Sequence, residues 1–192
     1  GFGKSPKFPS PHNLLFLMAQ NQEAPLAMAE KTLIQMYRGG IFDHIGGGFC
    51  RYSTDDKWLV PHFEKMLYDN ALLALAYTEA YQQTRRPLYG EIVRRTLDYV
   101  LRELRDFQGG FYCGQDADSE GEEGKYYVFT PEEIIGLLGQ ADGAAFCKRF
   151  GITKAGNFEG KSIPNLLHTK NLTDERFDPF LPTLREYRRG RT

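Results

Sequence analysis

The sequence predicts a mainly α-helical fold in which helical hairpins stack into a toroid or a solenoid, with one small β-hairpin. The helical stretches alternate between apolar on every side and apolar on one face, as inner and outer helices do. The connections at 21–24 and 84–87 are short, whereas those at 1–12, 39–62 and 106–130 are long and chemically rich. We therefore expect a site on the rim that these three long loops share, where helix N-termini favour polar and anionic ligands.

Length and composition are those of one globular domain. The chain has 192 residues, of which 41% are hydrophobic and 14% aromatic, enough for one sizeable core. A formal net charge of -1 gives no overall attraction to nucleic acids or acidic membranes, and we expect neither as a partner. The sequence holds no long apolar run and no signal peptide, so neither a membrane span nor secretion is predicted. Both ends lack a closing element, which predicts a piece of a longer protein.

The three cysteines, Cys50, Cys113 and Cys147, are far apart and form no CxxC motif. A redox dithiol or a zinc knuckle is therefore not expected, and the pattern suits a reducing compartment, so we expect a cytoplasmic protein. The acidic run 116–121 begins like an EF-hand loop, but Tyr127 stands where that loop needs glutamate. We expect no cofactor and no metal, with a looser calcium or magnesium site as the lesser alternative.

The first predicted hairpin joins residues 13–20 to residues 26–38. The first stretch (NLLFLMAQ) is apolar on every side, which predicts a buried inner helix. The second carries one apolar stripe opposite charged residues, which predicts an outer helix that ends at Gly39 and Gly40. The stripe consists of Leu26, Ala29, Leu33, Met36 and Tyr37.

The second predicted hairpin joins residues 63–83 to residues 88–105. Pro61 lies just before the first of these helices, whose middle, 71–77, is again apolar on every side. The second helix is one-sided, which predicts another outer helix. Its expected apolar face consists of Ile92, Val93, Leu97, Val100, Leu101 and Leu104.

The third long loop, 106–130, is expected to form a β-hairpin with strands at 111–113 and 125–129 and an acidic tip. Residues 130–133 (TPEE) are a capping box with proline at the first helical position, so another helix is predicted there. A weaker helix is expected at 141–150.

Two domains of unequal order are expected. Residues 1–160 are predicted to form a partial α/α toroid domain, and residues 161–192 a loop-rich or partly disordered segment. The arginine-rich end of that segment is expected to be a solvated tail.

The two histidines of the second long loop, His44 and His62, are candidate catalytic residues. Histidine titrates near neutral pH and suits proton abstraction and return. The alternative is that each is only hydrogen-bonded to loop backbone. His62 is the stronger candidate because it precedes a predicted helix.

Two acids, Glu64 and Asp69, follow in the first turns of the expected inner helix. The helix dipole accounts for Glu64. Asp69 lies deeper, below an apolar run, where an unpaired acid is costly. We therefore expect Asp69 to belong to a site or to a buried network, with Arg51 or Lys65 as its partner.

Asp116 and Asp118 lie in the acidic part of the third loop. Either is a candidate carboxylate of a glycoside-type site, which needs two acids across a sugar ring. The alternative is an acidic, solvated hairpin tip.

The aromatic side chains of the second loop, including Tyr52 and Trp58, are expected to form a wall on which a sugar stacks. The alternative is that they are core residues that hold a long loop in place. The glycine run 46–48 lacks the GK[ST] of a phosphate loop, so it indicates a close approach of backbone and ligand, or positive φ angles.

Four segments carry a resemblance to a known family: 1–9 (GFGKSPKFP), 39–73, 111–129 with DADSEGEEG, and 157–160 (NFEG). On these segments the chain resembles the second domain of the thioredoxin-domain-containing proteins related to spermatogenesis-associated protein 20. The resemblance covers most of residues 1–160. It implies a thioredoxin-like domain outside this chain, followed by an (α/α)6 toroid of the six-hairpin glycosidase type, similar to N-acylglucosamine 2-epimerase and cellobiose epimerase.

The resemblance implies a carbohydrate-active domain, of epimerase or glycosidase type, with a sugar as its small-molecule partner. Related epimerases use a pair of histidines, for which His44 and His62 are the candidates. Related glycosidases use carboxylates, for which Asp69, Asp116 and Asp118 are the candidates. The catalytic residues expected are His62, His44, Asp69 and Asp116, and those expected to bind substrate are Arg51, Tyr52, Trp58, Glu64 and Asp118.

A second hypothesis is a non-catalytic binding or structural module that accompanies the thioredoxin-like domain. For an enzyme, His44, His62, Asp69 and an acid of the third loop should face one cavity within roughly 10 Å, the size of a sugar pocket. Part of a toroid site would lie outside this chain, so we expect the chain alone to be inactive. Exposed inner-helix surface also predicts a homo-oligomer.

Overall fold

The computed structural model describes residues 3–191, and its first half is built from two helical hairpins. The four helices are α1 (Pro11–Ala19), α2 (Glu23–Arg38), α3 (Leu67–Thr84) and α4 (Pro87–Tyr99), and a π-helical turn (Val100–Leu104) continues α4. Helix α1 packs against α2 and α3, and α3 packs against α4. Proline opens α1 and α4, where its missing N–H costs nothing. Both helical hairpins that the sequence predicts are confirmed.

Three short antiparallel strand pairs lie in or beside the long loops, and the second of them joins the second loop region to the third. They are β1 (Tyr52–Ser53) with β2 (Pro61–His62), β3 (Lys65–Met66) with β4 (Gly114–Gln115), and β5 (Asp118–Ser119) with β6 (Glu122–Glu123). A further bridge joins Lys7 to Ser53. The described parts of the three long loops therefore meet, as the sequence predicts. The segment 1–9 is described only from residue 3 onward.

The hairpin of the third loop differs from the expectation. Strands at 111–113 and 125–129 do not pair with each other; the tight hairpin is β5–β6 instead. Glu120 and Gly121 form its turn with φ angles of 53° and 76°, the left-handed conformation of a two-residue hairpin turn. Helix α3 also begins at Leu67, later than expected, because β3 is engaged with β4.

The second half contains a third helical hairpin and a C-terminal helix. Helices α5 (Pro131–Leu138) and α6 (Gln140–Phe150) pack together, and α7 (Leu181–Arg189) follows a 3-10 turn (Glu175–Phe180) and packs on α5. The capping box is confirmed: the Thr130 hydroxyl accepts from the Glu133 N–H, and the Glu133 carboxylate accepts from the Thr130 N–H. The boundary expected at residue 160 stays a prediction.

The expectation of a solvated arginine-rich tail is wrong. Arg188 is only 3% exposed, because its guanidinium makes two hydrogen bonds to Asp43, of 3.0 and 2.7 Å. The ammonium of Lys65 also donates to Asp43, at 2.8 Å, and to the Gly47 carbonyl, at 2.9 Å. This buried network, Asp43–Lys65–Arg188, anchors the loop between α2 and α3 to the C-terminal helix.

The glycine run of this loop permits close packing of backbone within the protein. Gly47 and Gly48 have φ angles of +80° and +79°. A Cβ at Gly47 would lie 2.3 Å from the Arg95 carbonyl oxygen, and one at Gly48 would lie 2.4 Å from the Tyr99 ring. Of the two roles that the sequence suggested, positive φ is confirmed, and the close approach is to helix α4.

The inner helices are not buried on every side, contrary to the expectation. Phe16 of α1 is 65% exposed and Leu75 of α3 is 59% exposed, and Tyr68 and Leu72 extend the exposed stripe along α3. The face of α4 differs as well, since Leu97 and Leu101 are exposed. The chain is thus mainly helical with small antiparallel strand pairs; that the hairpins close into a toroid stays a prediction. No helix among the described residues has the length and apolar character needed to cross a membrane.

Candidate functional site

His62 is the centre of a polar cluster on the rim where the second and third loops meet. Its Nδ1 lies 2.8 Å from Glu123 Oε1, and its Nε2 lies 3.8 Å from Glu64 Oε2. The ring stacks on Tyr52, with centroids 5.1 Å apart and planes at 24°. The β1–β2 pairing sets this stack, because it places Tyr52 opposite His62. The imidazole is therefore held between an aromatic face and two carboxylates.

Arg51 and Glu64 form the second part of the cluster. The Arg51 guanidinium donates to Glu64 Oε2 at 3.0 Å, and the Arg51 backbone N–H donates to the Glu64 carbonyl at 2.8 Å. Both side chains are partly exposed, so the pair is open to a ligand. A backbone bond and a side-chain bond between the same two residues fix the position of the Glu64 carboxylate.

Asp69 lies in the first turn of α3 and is 9% exposed. Its Oδ2 is buried and has no hydrogen-bond partner among the described residues. Burial raises the pKa of this carboxyl to about 6, with Arg51 lowering it and Glu64 raising it further. Lys65, one of the two partners expected for Asp69, binds Asp43 instead. Asp69 is therefore an acid that exchanges its proton near neutral pH.

The acids of the third loop lie at the edge of this cluster. Lys65 pairs with Gln115 in the antiparallel β3–β4 ladder. Glu64 precedes Lys65 and Asp116 follows Gln115, so these two acids are neighbours at the end of the ladder. Asp116 and Asp118 are both exposed, and Asp116 Oδ1 accepts from the Asp118 N–H at 3.3 Å. The ladder brings Asp116 to the cluster, whereas Asp118 belongs to the hairpin turn region.

His44 is not on the rim. It is 1% exposed, its Nε2 lies 3.2 Å from the Gly39 carbonyl, and its ring packs against Tyr37 and Phe42. Burial lowers the pKa of the imidazole to about 3, with a further contribution from the nearby Arg95. The two histidines are therefore not brought together, and the backbone-bonded alternative describes His44.

Trp58 is also a core residue. It is buried, its carbonyl accepts the Ile41 N–H at 3.2 Å, and Lys7 lies over its ring at 5.1 Å. Of the expected aromatic wall only Tyr52 is on the rim, and there Phe8 packs against it with centroids 4.9 Å apart. The alternative of a residue that holds the loop in place describes Trp58.

Sequence reasoning missed two contributors to the cluster, Phe8 and Glu123. Glu123 lies in the acidic tip expected for the third loop, yet it binds His62. The Glu-Gly pair at 120–121 could have indicated this position, because a two-residue hairpin turn there places Glu123 opposite Asp118. No local pattern indicated that Phe8 would reach Tyr52, since that contact depends on the Lys7–Ser53 bridge.

The fold and the cluster define a mainly helical protein whose long loops hold acids, a histidine and an arginine on one rim. The chain is 40% identical to spermatogenesis-associated protein 20 of Homo sapiens and of Mus musculus, over 92% of its own length. It is 35% identical to an uncharacterized protein of Caenorhabditis elegans over 91% of its length. No family model matches the chain.

These relatives are much longer than the chain, which spans 27%, 25% and 28% of the human, mouse and nematode proteins. The chain is therefore homologous to about a quarter of each. The similarity inferred from the sequence segments is confirmed for these relatives; the toroid and the thioredoxin-like domain stay predictions.

Proposed function

We propose that the chain belongs to the (α/α)6 toroid domain of proteins related to spermatogenesis-associated protein 20, and that its rim cluster binds a sugar. The meeting of the three long loops at His62 supports this proposal. An aromatic face, a guanidinium and several carboxylates lie close together there, and these groups suit sugar hydroxyls and the apolar face of a sugar ring.

The different surroundings of Asp69 and Glu64 favour a hydrolase-like reaction over an epimerase-like one. Asp69 is buried, its Oδ2 has no hydrogen-bond partner among residues 3–191, and its pKa is about 6, whereas Glu64 is held by the Arg51 guanidinium. Two carboxylates in such different surroundings suit the roles of proton donor and ionised partner in glycoside hydrolysis. The epimerase alternative needs two histidines at one site, and His44 is buried and neutral. We therefore favour the hydrolase-like reaction.

In this proposal Asp69 gives its proton to the oxygen of the glycosidic bond as the bond to the anomeric carbon breaks. Water adds to that carbon on the opposite face and loses a proton to Glu64. His62 and Tyr52 form one wall of the subsite, and Glu123 fixes the imidazole. Atoms and charge balance, since one proton leaves Asp69 and one arrives at Glu64.

The second candidate function is a non-catalytic sugar-binding module. Both ring nitrogens of His62 face carboxylates, which favours a histidine that orients the site over one that moves protons. Such a module binds the same sugar without turning it over. The thioredoxin-like domain expected in the longer protein is then its partner.

A sugar-library screen for binding and turnover, on the chain and on the longer protein, tests the proposal. We expect a sugar to bind, and His62→Ala and Tyr52→Ala each to weaken it by roughly tenfold, because each removes stacking or a polar wall. Asp116→Ala should weaken it less. Asp56→Ala, an exposed acid of the same loop outside the cluster, is the matched control.

The screen distinguishes a hydrolase from a binding module and tests whether the rim site exists. Binding without turnover in the longer protein supports the binding module over the hydrolase. Unchanged binding and turnover in His62→Ala and Tyr52→Ala would remove the rim site altogether.

The exposed stripe of α3 supports the expectation of a homo-oligomer. Tyr68, Leu72 and Leu75 present apolar surface along one face of this helix. We expect sedimentation velocity to show a concentration-dependent dimer that Leu75→Lys dissociates, with the exposed Glu186→Lys as control. A monomer at every concentration contradicts the expectation.

The cytoplasmic location is likewise a prediction, checked by fractionation.

A further inference from the structure

A cavity of about 410 Å³ lies away from the rim, between helices α2, α4 and α6 and the segment 166–181. Its volume lies in the range of small-molecule sites. Tyr37, Phe150 and Phe177 contribute aromatic walls, and none of the rim residues lines it. The cavity is therefore separate from the proposed sugar site.

Two buried nitrogen atoms on residues that line this cavity have no hydrogen-bond partner in the described part of the chain. They are Nδ1 of His44 and Nε of Arg149. Buried polar groups are nearly always satisfied, so an unpartnered pair at one cavity points to a molecule that satisfies them.

The hydrogen-bond roles of these atoms follow from their surroundings. His44 Nε2 lies 3.2 Å from the Gly39 carbonyl, which only accepts, so this nitrogen carries the proton. Burial holds the pKa of the imidazole near 3, so the ring is neutral and Nδ1 is an acceptor. Arg149 Nε is a donor by its chemistry. The occupant must therefore offer a donor to one atom and an acceptor to the other.

The ion pairs around the cavity favour an anionic acceptor, although acids line it as well as arginines. Among the arginines that line it, Arg94 is paired with Glu91 at 2.6 Å. Arg95 and Arg149 form no ion pair in the described chain: Arg95 donates to Tyr37 and to the His44 carbonyl, and Arg149 donates to the Asn171 carbonyl. Of the facing carboxylates, Asp174 is paired with Arg176. Asp174 and Asp178 act on Arg149 only from beyond ion-pair distance, so the two guanidiniums beside His44 remain available to an anion.

We propose that this cavity binds a small hydroxylated organic anion, whose hydroxyl donates to His44 Nδ1 and whose charged group accepts from Arg149. Glu175 and Asp178 also line the cavity, and their negative charge disfavours an anion large enough to extend to them. A carboxylate and a phosphate share the required chemistry. The proposal does not depend on the sugar site.

Isothermal titration calorimetry of the purified protein tests this inference with four probes. Gluconate and glucose 6-phosphate carry hydroxyls with a carboxylate or a phosphate, glucose lacks the charge, and acetate lacks the hydroxyl. We expect gluconate or glucose 6-phosphate to bind more tightly than glucose and acetate by roughly tenfold or more, since a charge-assisted and a neutral hydrogen bond both contribute. The tighter of the two identifies the anionic group.

Variants then locate the binding. Arg149→Gln and His44→Gln should each weaken it by roughly tenfold or more. Arg149→Lys keeps the charge but lacks Nε, and it serves if Arg149→Gln unfolds. Arg105→Gln, an exposed arginine outside the cavity, and Asp69→Asn, on the rim, should leave it unchanged. Failure of both anions to bind, equal weakening by Arg105→Gln, or loss in Asp69→Asn alone would overturn the inference.

Discussion

Replacing Asp43 by asparagine is expected to lower the free energy of unfolding by about 3–5 kcal/mol, because it leaves two buried cations without their shared anion. Lys65 and Arg188 both bind this carboxylate and both are buried. Asp43 Oδ1 also accepts the N–H groups of Ile45 and Gly46, at 3.0 and 2.9 Å. An asparagine carbonyl retains part of these bonds but none of the charge.

Urea unfolding followed by circular dichroism measures this loss. Glu186→Gln, which removes the acid of an exposed pair with Arg189, is the control and should change stability little. An Asp43→Asn variant as stable as the unmodified protein would show that water reaches Lys65 and Arg188.

The difference in the free energy of unfolding between the unmodified protein and Asp43→Asn should depend on pH only in acid. Arg188 and Lys65 hold the pKa of Asp43 well below 3.8, against the opposing effect of burial. A carboxyl whose pKa is lowered by folding stabilises the fold above its unfolded pKa and loses that contribution as pH falls through its folded pKa. The difference between protein and variant should therefore be constant from about pH 5 upward and shrink only in stronger acid.

Asp69→Asn is expected to lower turnover of a sugar substrate by roughly 10²–10⁴-fold, the usual contribution of a general acid, because the amide has no proton of suitable acidity. Turnover is measured in the longer protein, and without the substitution it should decline above about pH 6, where Asp69 loses its proton. Asp142→Asn, which also replaces an acid in the first turn of a helix, is the matched control. Undiminished turnover in Asp69→Asn, or a profile flat through pH 6, would exclude Asp69 as the acid.

The raised pKa of Asp69 also has a consequence for stability that needs no substrate. The folded pKa of Asp69, about 6, exceeds the ordinary value of 3.8. The contribution of this carboxyl to the free energy of unfolding is therefore fully present below about pH 4 and is lost as pH rises through 6. Two pKa units correspond to about 3 kcal/mol. Urea unfolding at pH 4 and pH 7 should thus show Asp69→Asn gaining about 2–3 kcal/mol relative to the unmodified protein. A pH-independent difference would contradict the buried, unpaired carboxyl.

Local features of the fold were readable from the sequence because they depend on neighbours along the chain. The apolar stripe of α2, with Ala29, Leu33, Met36 and Tyr37 buried, follows from the helical period. The Thr130–Glu133 capping box follows from residues three apart. The position of His62 near acids was also indicated, although its partner Glu123 was not.

The sequence by itself determined the helical hairpins, the long loops on one side and the candidate groups on them. Only the tertiary structure decided which of those groups meet. Arg188 reaches Asp43 across 145 positions, and this contact buries Lys65 and leaves Asp69 without it. The same packing placed His44 in the core, beside a cavity that no motif indicated. Helix periodicity and caps act over a few residues, whereas burial and charge pairing depend on distant segments that only folding brings together.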